Sequence, residues 1–378
     1  MTNGTILYTG NFELPDKNAA AHRVMNNAKI FHALGYRTAF LGVVRNESFD
    51  GIRQSSFDED IYEESYPESS KEWLRHIFDT KNIRALAEKY DDVRMVITYN
   101  APYAAFKAVK RAFRNTAVKV AYDCTEWNSY ADGSFLKQWY KKIDGFEIEH
   151  FLSKKCPDLI VISSMMERKY HRCNLLRIPP LVDLSDPVWH QKREEHRGFF
   201  EFCFAGEVSN NESLDKVVQA FCMIDDPALR LRIVGITKED YIRLIPSHEA
   251  AVRSDDRIRF EGYVSHDLAV KYTLSCDCYI FVREKSKRNR AGFSTKFVEA
   301  YTCGVPIIMT GFDDIGRYIG SKDDGILLND ISVEAVKECM LEMAAHGKST
   351  ERKLREVFDY QSYVGETEKW VLRSHLQS

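Results

Sequence analysis

The chain has 378 residues, 44% hydrophobic and 29% charged, with a formal net charge of -3, the makeup of a globular protein long enough for two domains. So small a charge balance speaks against a general nucleic-acid binder, which carries a basic excess. The opening MTNGTILYTG shows no basic leader with an apolar core, and no stretch reaches the ~18 apolar residues of a membrane span, so the expected location is the cytoplasm or the inner face of a membrane.

Thr5 to Thr9 reads as a buried parallel strand and Gly10 to Lys17 as the loop after it. A helix opens at Asn18, with Ala21, Val24, Ala28 and Phe31 at helical spacing, and Gly35 ends it before a strand from Arg37 to Gly42. This is the start of a doubly wound α/β sheet. A dinucleotide fold would need G-x-G-x-x-G in that first loop, whereas GNFELPDKNAAAHR holds one glycine, which disfavours NAD. Glu47 to Glu68 reads as acidic and irregular. No buried strand precedes the D-x-D of Asp58 and Asp60, so the pair is expected in solvated loop rather than on a metal.

Strands follow at Met95 to Thr98 and at Val118 to Tyr122, the second running into Asp123, Cys124, Thr125, Glu126 and Trp127. Ligands of open α/β sheets lie beyond the carboxyl ends of strands, which nominates Asp123 and Glu126; the competing reading is a pair of capping acids at a helix N-terminus. Basic and aromatic residues mix from Lys107 to Lys119 and again at Trp139, Lys141 and Lys142, either as a solvated face or as a contact for an anionic membrane. Leu159 to Ser163 reads as the last strand of this half. The nine cysteines sit mostly among apolar neighbours and fit reduced thiols; Cys276 and Cys278 have no second pair at zinc spacing, and no metal is expected.

A second cycle opens with a strand at Phe200 to Ala205. Strands at Leu231 to Val234, Ile258 to Glu261, Cys278 to Phe281, Ile307 to Thr310 and Gly325 to Leu328 alternate with helices such as Leu214 to Met223 and Val333 to His346, and Tyr360 to Leu376 is helical. Within this half, VREKSKRNRAGFSTKFVEAYTCGVPIIMT concentrates a ligand chemistry. Ser294 is a competent N-cap, Thr295 to Tyr301 follows it as helix, and Gly304 with Pro306 closes it. Five bases, Arg283, Lys285, Lys287, Arg288 and Arg290, precede the helix as a loop. A helix start with Lys296 in its first turn suits an anion such as a diphosphate. Glu299 stands roughly 7 Å further along, at about 1.5 Å per residue, a distance suited to a ribose. The alternative is an ordinary amphipathic helix with Lys296 and Glu299 as a surface i,i+3 pair.

The run GFSTKFVEAYTCGVPII resembles the donor-binding signature of retaining GT-B glycosyltransferases of family 4. An arginine, an asparagine a few residues on and then Gly-Phe-x-Thr-Lys-Phe are similar to a subset serving polysaccharide assembly. The resemblance implies an α/β GT-B fold of two Rossmann-like doubly wound lobes with an interlobe cleft. It divides the chain into an acceptor-side lobe at 1–178, a linker at 179–198 beginning within LLRIPPLVD and ending in the charged run Gln191 to Arg197, a nucleotide-sugar lobe at 199–358, and a helix at 359–378 returning to the first lobe. It implies that Gly206, Arg283, Asn289, Phe293, Ser294, Thr295, Lys296 and Glu299 hold the donor, with Ser294, Thr295 and Lys296 at the diphosphate and Glu299 at the ribose. Gly10, Asn11 and Arg23 would line the acceptor side.

The implied activity is transfer of a sugar from a nucleotide sugar to a glycan or lipid-linked acceptor, with retention and without metal or other cofactor. Arg283 and Lys296 would stabilise the leaving charge, and Asp123 or Glu126 would serve as base if the reaction inverted. The sequence also departs from the family. Where many members carry bases after the first strand of the second lobe, AGEVSNNESLD has Glu207 and Glu212, and where the E-x7-E members carry their first glutamate this chain has Ala291. Acids there would repel a diphosphate, so neutralisation is expected to have moved to Arg283 and Lys296, with Arg288 and Arg290 as further candidates. The rival expectations are a non-catalytic subunit partnering another transferase and a nucleotide-sugar epimerase of the same fold.

Overall fold

The computed structural model describes residues 2–15, 17–127, 135–194, 198–206, 212–312, 314–349 and 352–376. The chain divides into two compact units, Met1–Leu181 with Tyr360–Ser378, and Val182–Asp359.

The first unit is built on eight strands: β1 Thr5–Gly10, β2 Arg37–Val44, β3 Arg53–Gln54, β4 Ile61–Ser65, β5 Val93–Tyr99, β6 Lys119–Cys124, β7 Asp158–Val161 and β8 Asn174–Arg177. They lie in the order β3-β4-β2-β1-β5-β6-β7-β8, parallel throughout except for the short β3–β4 pair. Helices α1 Ala19–Ala33, α2 Ser70–Phe78, α3 Lys81–Ala87, α4 Tyr103–Ala112, α5 Phe135–Lys155 and α6 Ser164–Lys169 intervene. Parallel strands joined by helices are covered on both faces, which is why TILYT and AFLGVV are apolar runs rather than alternations. Asn18 caps α1, its side chain accepting from the Ala21 amide, and Ile6, Tyr8, Phe12, Phe31 and Phe40 form the centre of the core.

Two stretches here differ from the expectation. Glu47 to Glu68 is not irregular: β3 and β4 lie inside it, β4 paired with β2. Its acids are matched one by one, Glu63 by Arg53 at 3.0 Å and Glu64 by the Asn82 amide at 2.7 Å, so the strand keeps Ile61 and Tyr62 buried despite its charge. Nor is β7 the last strand, because Asn174–Arg177 adds β8 beside it and takes part of the expected crossing segment into the sheet. Asp58 is exposed and accepts from the Asp60 amide at 2.8 Å, as the solvated reading has it, whereas Asp60 is half-buried, accepting from the Tyr90 hydroxyl at 2.8 Å and standing 3.6 Å from Arg37.

The second unit has six parallel strands: β9 Phe200–Ala205, β10 Leu229–Val234, β11 Ile258–Gly262, β12 Cys278–Phe281, β13 Ile307–Thr310 and β14 Gly325–Leu328, in the order β11-β10-β9-β12-β13-β14. Its helices are α7 Leu214–Cys222, α8 Lys238–Leu244, α9 Glu249–Ser254, α10 His266–Ser275, α11 Lys287–Ala291, α12 Thr295–Thr302 and α13 Val333–His346. The basic segment before α12 is therefore not all loop, since Ser286 caps α11 through the Asn289 amide. The expected linker at 179–198 is not a free segment either. Val182 already belongs to this unit, Arg193 reaches Asp277 at 3.2 Å, and Glu194 pairs with Lys271 at 2.7 Å; residues 195–197 lie outside the described residues.

The last element among the described residues is α14 Val364–Leu376, part of the first unit. Trp370 is fully buried there and its indole N–H donates to the Asn174 carbonyl of β8 at 3.0 Å, while the Asn174 amide reaches Asp158 and Ser374 at 2.8 and 2.9 Å. All nine cysteines are free. No helix among the described residues is long and apolar enough to cross a membrane, and no group of three or more His, Cys, Asp or Glu among them could hold a metal ion.

Candidate functional site

In the second unit, Gly206, Glu212, Arg283 and Lys296 come together beyond the carboxyl ends of β9 and β12, where open α/β sheets bind their ligands. Glu212 pairs by an isolated antiparallel bridge with Arg283, directly after β12, and its carboxylate accepts from the Arg283 guanidinium at 2.7 Å. The Lys296 ammonium stands 3.7 Å from the same oxygen. The carboxylate is only 4% exposed, against 25% for Arg283 and 15% for Lys296, so the acid is inside and the cations form its outer layer. Thr310 fixes the arginine's backbone, its hydroxyl accepting from the Arg283 amide at 2.9 Å and donating to the Arg283 carbonyl at 2.8 Å.

Lys296 lies across a floor of rings and bare backbone. Its ammonium is 4.8 Å from the centroid of Phe281 and 5.7 Å from that of Phe204, both cation–π distances. Gly206 has φ +148° and a Cβ there would overlap the lysine's Cε, so the glycine is what lets the side chain cross the end of β9. Ser294 caps α12, its hydroxyl accepting from the Phe297 amide at 3.2 Å, and the Lys296 backbone sits in the helix's first turn, at the positive end of its dipole. Two cations held side by side repel each other, by about 4 kcal/mol for unit charges 4 Å apart at an effective dielectric of 20. Glu212 offsets that repulsion from within.

Glu299 faces His266, the first residue of α10, with 3.5 Å between Oε1 and Nε2. The hydrogen bond to Glu299 raises the histidine above its ordinary pKa; burial opposes this and the charges of Glu299, Asp267 and Asp186 add to it. A base whose folded-state pKa is raised adds stability that is complete below the unfolded pKa of about 6.5 and disappears as pH rises through the folded value. The melting temperature of the wild type should therefore exceed that of His266→Gln most in mild acid, with the gap closing above neutrality. A gap that widens with pH would contradict the pairing.

The remaining residues nominated in this unit take other positions. Thr295 is half-buried at the first position of α12. The Asn289 side chain donates to the Glu284 carbonyl at 2.8 Å, tying off the turn before α11. Phe293, half-buried, packs on Phe358, Phe297 and Tyr318 with centroids 5.8, 6.1 and 6.3 Å away. Arg288 is half-buried and Arg290 exposed on α11, and Ala291 is buried. Glu207 lies outside the described residues.

In the first unit, Arg23 and Asp123 are corrected. Both are interior, 5% and 0% exposed, and bonded to each other through Nη2 and Oδ1 at 2.8 Å. Asp123 also accepts from the Tyr8 hydroxyl at 2.6 Å and the Asn27 amide at 3.2 Å, and Arg23 donates to the Ile178 carbonyl at 2.9 Å. Burial and the Asp123 charge hold the Tyr8 phenol well above its ordinary pKa. A carboxylate so enclosed cannot reach an acceptor hydroxyl, so it holds the strand ends together instead of acting as a base. Glu126 stands half-buried just past β6. Gly10 and Asn11 line a cavity of about 80 Å³ with Glu64, Trp73, His76 and Tyr99, and a Cβ on Gly10 would come within 2.8 Å of the Tyr99 carbonyl oxygen.

Residues 200–346 match the family model described as glycosyl transferases group 1, and this segment contains Gly206, Glu212, Arg283, Lys296 and Glu299. Sucrose-phosphate synthase from Thermosynechococcus elongatus superposes on the chain with a TM-score of 0.74 at 13% identity, covering 100% of each. Anabaena HepE, solved in complex with UDP and glucose, superposes with a TM-score of 0.65 at 11% identity over 98% of this chain and 99% of its own. The fold is GT-B. An uncharacterized glycosyltransferase of Methanocaldococcus jannaschii is 23% identical over 280 residues, 70% of this chain; the match spans 65% of that relative's length.

Two participants of this GT-B chain's site went unnoticed in the sequence, and a third was noticed but misjudged. His266 follows a serine cap just after a strand, in GYVSHDL, a placement that could have flagged it. Thr310 closes an apolar strand and reads as part of it. Glu212 was read as an obstacle, because nothing local in NNESLD tells that both cations would close on it.

Proposed function

We propose that the chain is a glycosyltransferase of the retaining family 4 type, moving a hexosyl or related group from a nucleotide sugar to a glycan or lipid-linked acceptor. In this reading it works in the cytoplasm with peripheral contact to a membrane, in surface polysaccharide or glycoconjugate synthesis. The observation that carries the reading is the convergence of Arg283 and Lys296 on one buried carboxylate at the start of α12. The group 1 match over the same residues supports it, and the UDP and glucose bound by HepE make a uridine nucleotide the first donor to test.

In the proposed reaction the anomeric carbon becomes oxocarbenium-like while negative charge grows on the departing diphosphate. The guanidinium of Arg283, the ammonium of Lys296 and the dipole of α12 meet that charge where it develops, and a preorganised set of donors costs no reorganisation at that moment. The leaving phosphate takes the acceptor proton, so no protein base is required. Glu299, held by His266, grips the ribose hydroxyls and sets the register of the donor on α12.

The test is a rise in melting temperature on titration with UDP, GDP, ADP and CMP. A diphosphate at 100 times its dissociation constant adds about 2.7 kcal/mol to the folded state. One of the nucleoside diphosphates is expected to stabilise the chain, and Glu299→Ala to weaken it about tenfold by calorimetry, or about 1.4 kcal/mol. Stabilisation by none of them would overturn the donor site; unchanged affinity in Glu299→Ala would overturn the ribose contact alone.

A further inference from the structure

Helix α5 buries one apolar face and exposes another. At about 100° per residue, Trp139, Ile143, Phe146 and His150 share a single stripe on the helix. The first three are 59, 38 and 55% exposed, whereas Asp144, Ile148 and Leu152 on the opposite side are buried. The His150 ring stacks on Phe146 at 4.3 Å, and Phe151, itself partly exposed, meets Phe146 edge-on at 5.9 Å. Neighbouring α2, joined to α5 by the 4.7 Å contact of Trp73 with Tyr140, adds Leu74 and Phe78 one turn apart and more than half exposed. Single exposed apolar residues are ordinary, but an aligned set of large ones marks a contact surface.

Both signs border the stripe, but the acids are held in ion pairs. Lys142 and Lys154 are exposed on α5 on either side of the stripe, and the Lys154 ammonium lies 5.1 Å over the Phe151 ring. The two acids of this side, Glu147 and Glu149, are matched by Lys107 at 4.0 Å and Lys169 at 3.4 Å. A symmetric contact between two copies of the chain would set these lysines against one another. Aromatic and aliphatic side chains bordered by lysines are instead the makeup of a helix lying in the headgroup layer of a membrane.

We propose that the outward face of α5, formed by Trp139, Ile143 and Phe146 with Lys142 and Lys154 beside it, docks on an anionic lipid bilayer. This gives the membrane contact of the reading above a definite surface in the first unit. It is tested without donor or acceptor, so its failure leaves nucleotide binding untouched, and the reverse also holds.

The experiment is flotation of the full chain with phosphatidylcholine vesicles, and with vesicles containing about a third phosphatidylserine. The wild type is expected to float with the anionic vesicles only, and less as salt rises. Trp139→Ser/Ile143→Ser/Phe146→Ser should lose at least about tenfold in partitioning, since it removes all three large apolar side chains of the docking face. Its melting temperature should hold, because the three side chains point outward. Lys142→Glu/Lys154→Glu, which leaves the apolar stripe whole, should also lose at least about 30-fold on anionic vesicles, because it removes two surface cations and adds two anions. The proposal is overturned if the wild type stays with the buffer, or if both variants float as it does. It is equally overturned if the chain forms a dimer in sedimentation that the serine variant abolishes, for then the face belongs to a second copy.

Discussion

Lys296→Ala is expected to weaken binding of the stabilising nucleoside diphosphate by about 10- to 100-fold, or about 1.4–2.8 kcal/mol, the range of a hydrogen bond to a charged partner. The ammonium is the cation in the first turn of α12, and its stem is held in place by the rings of Phe204 and Phe281 and by Gly206. Much of the cost of ordering a long lysine is thus met before a ligand arrives. The melting temperature without nucleotide should change little, since Arg283 still holds Glu212 at 2.7 Å. Gly206→Ala should reproduce much of the affinity loss while leaving the lysine in the chain, because a Cβ there occupies the lysine's path and φ +148° disfavours any side chain. Calorimetry on the two variants decides the matter. Wild-type affinity in Lys296→Ala would mean that phosphate is held elsewhere.

The second large effect lies in the other unit and on stability. Asp123→Ala leaves the Arg23 guanidinium buried at 5% exposure without its counter-charge, and breaking one side of a buried ion pair costs about 3–5 kcal/mol. For a unit of this size a melting transition falls by about 2–4 °C per kcal/mol, so a drop on the order of 10 °C is expected. Arg23→Met combined with Asp123→Leu should recover most of it, because removing both charges leaves no orphan. Calorimetric affinity for nucleotide should be unchanged in both variants, their sites being in the first unit. If Asp123→Ala kept its melting temperature and lost only transfer, the carboxylate would be catalytic after all.

What the sequence showed clearly was order within the chain. β12, β13 and β14 have the expected limits because short apolar runs are bounded there by Gly, Pro and acids, and α12 starts where Ser294 can cap it. The GT-B fold followed from that alternation and from the run around Lys296. What stayed hidden depends on partners distant in sequence. β4 contains Glu63 and Glu64, and partners such as Arg53 and Asn82, 10 and 18 residues away, make those acids tolerable in a strand. Asp123 at a strand's carboxyl end suggested a ligand-facing base, since nothing local announces that Tyr8, Arg23 and Asn27 would enclose it. Glu212 and Lys296 are likewise too far apart in sequence for their pairing to be read.

That pairing bears on how a product would leave. A site whose two bases had no internal counter-charge would cling to a diphosphate after the bond to the sugar was broken, and release would throttle turnover. In the proposed transfer Glu212 would give Arg283 and Lys296 a second anion to return to, so that departure of the product would be a swap of one negative neighbour for another rather than the unveiling of two bare cations.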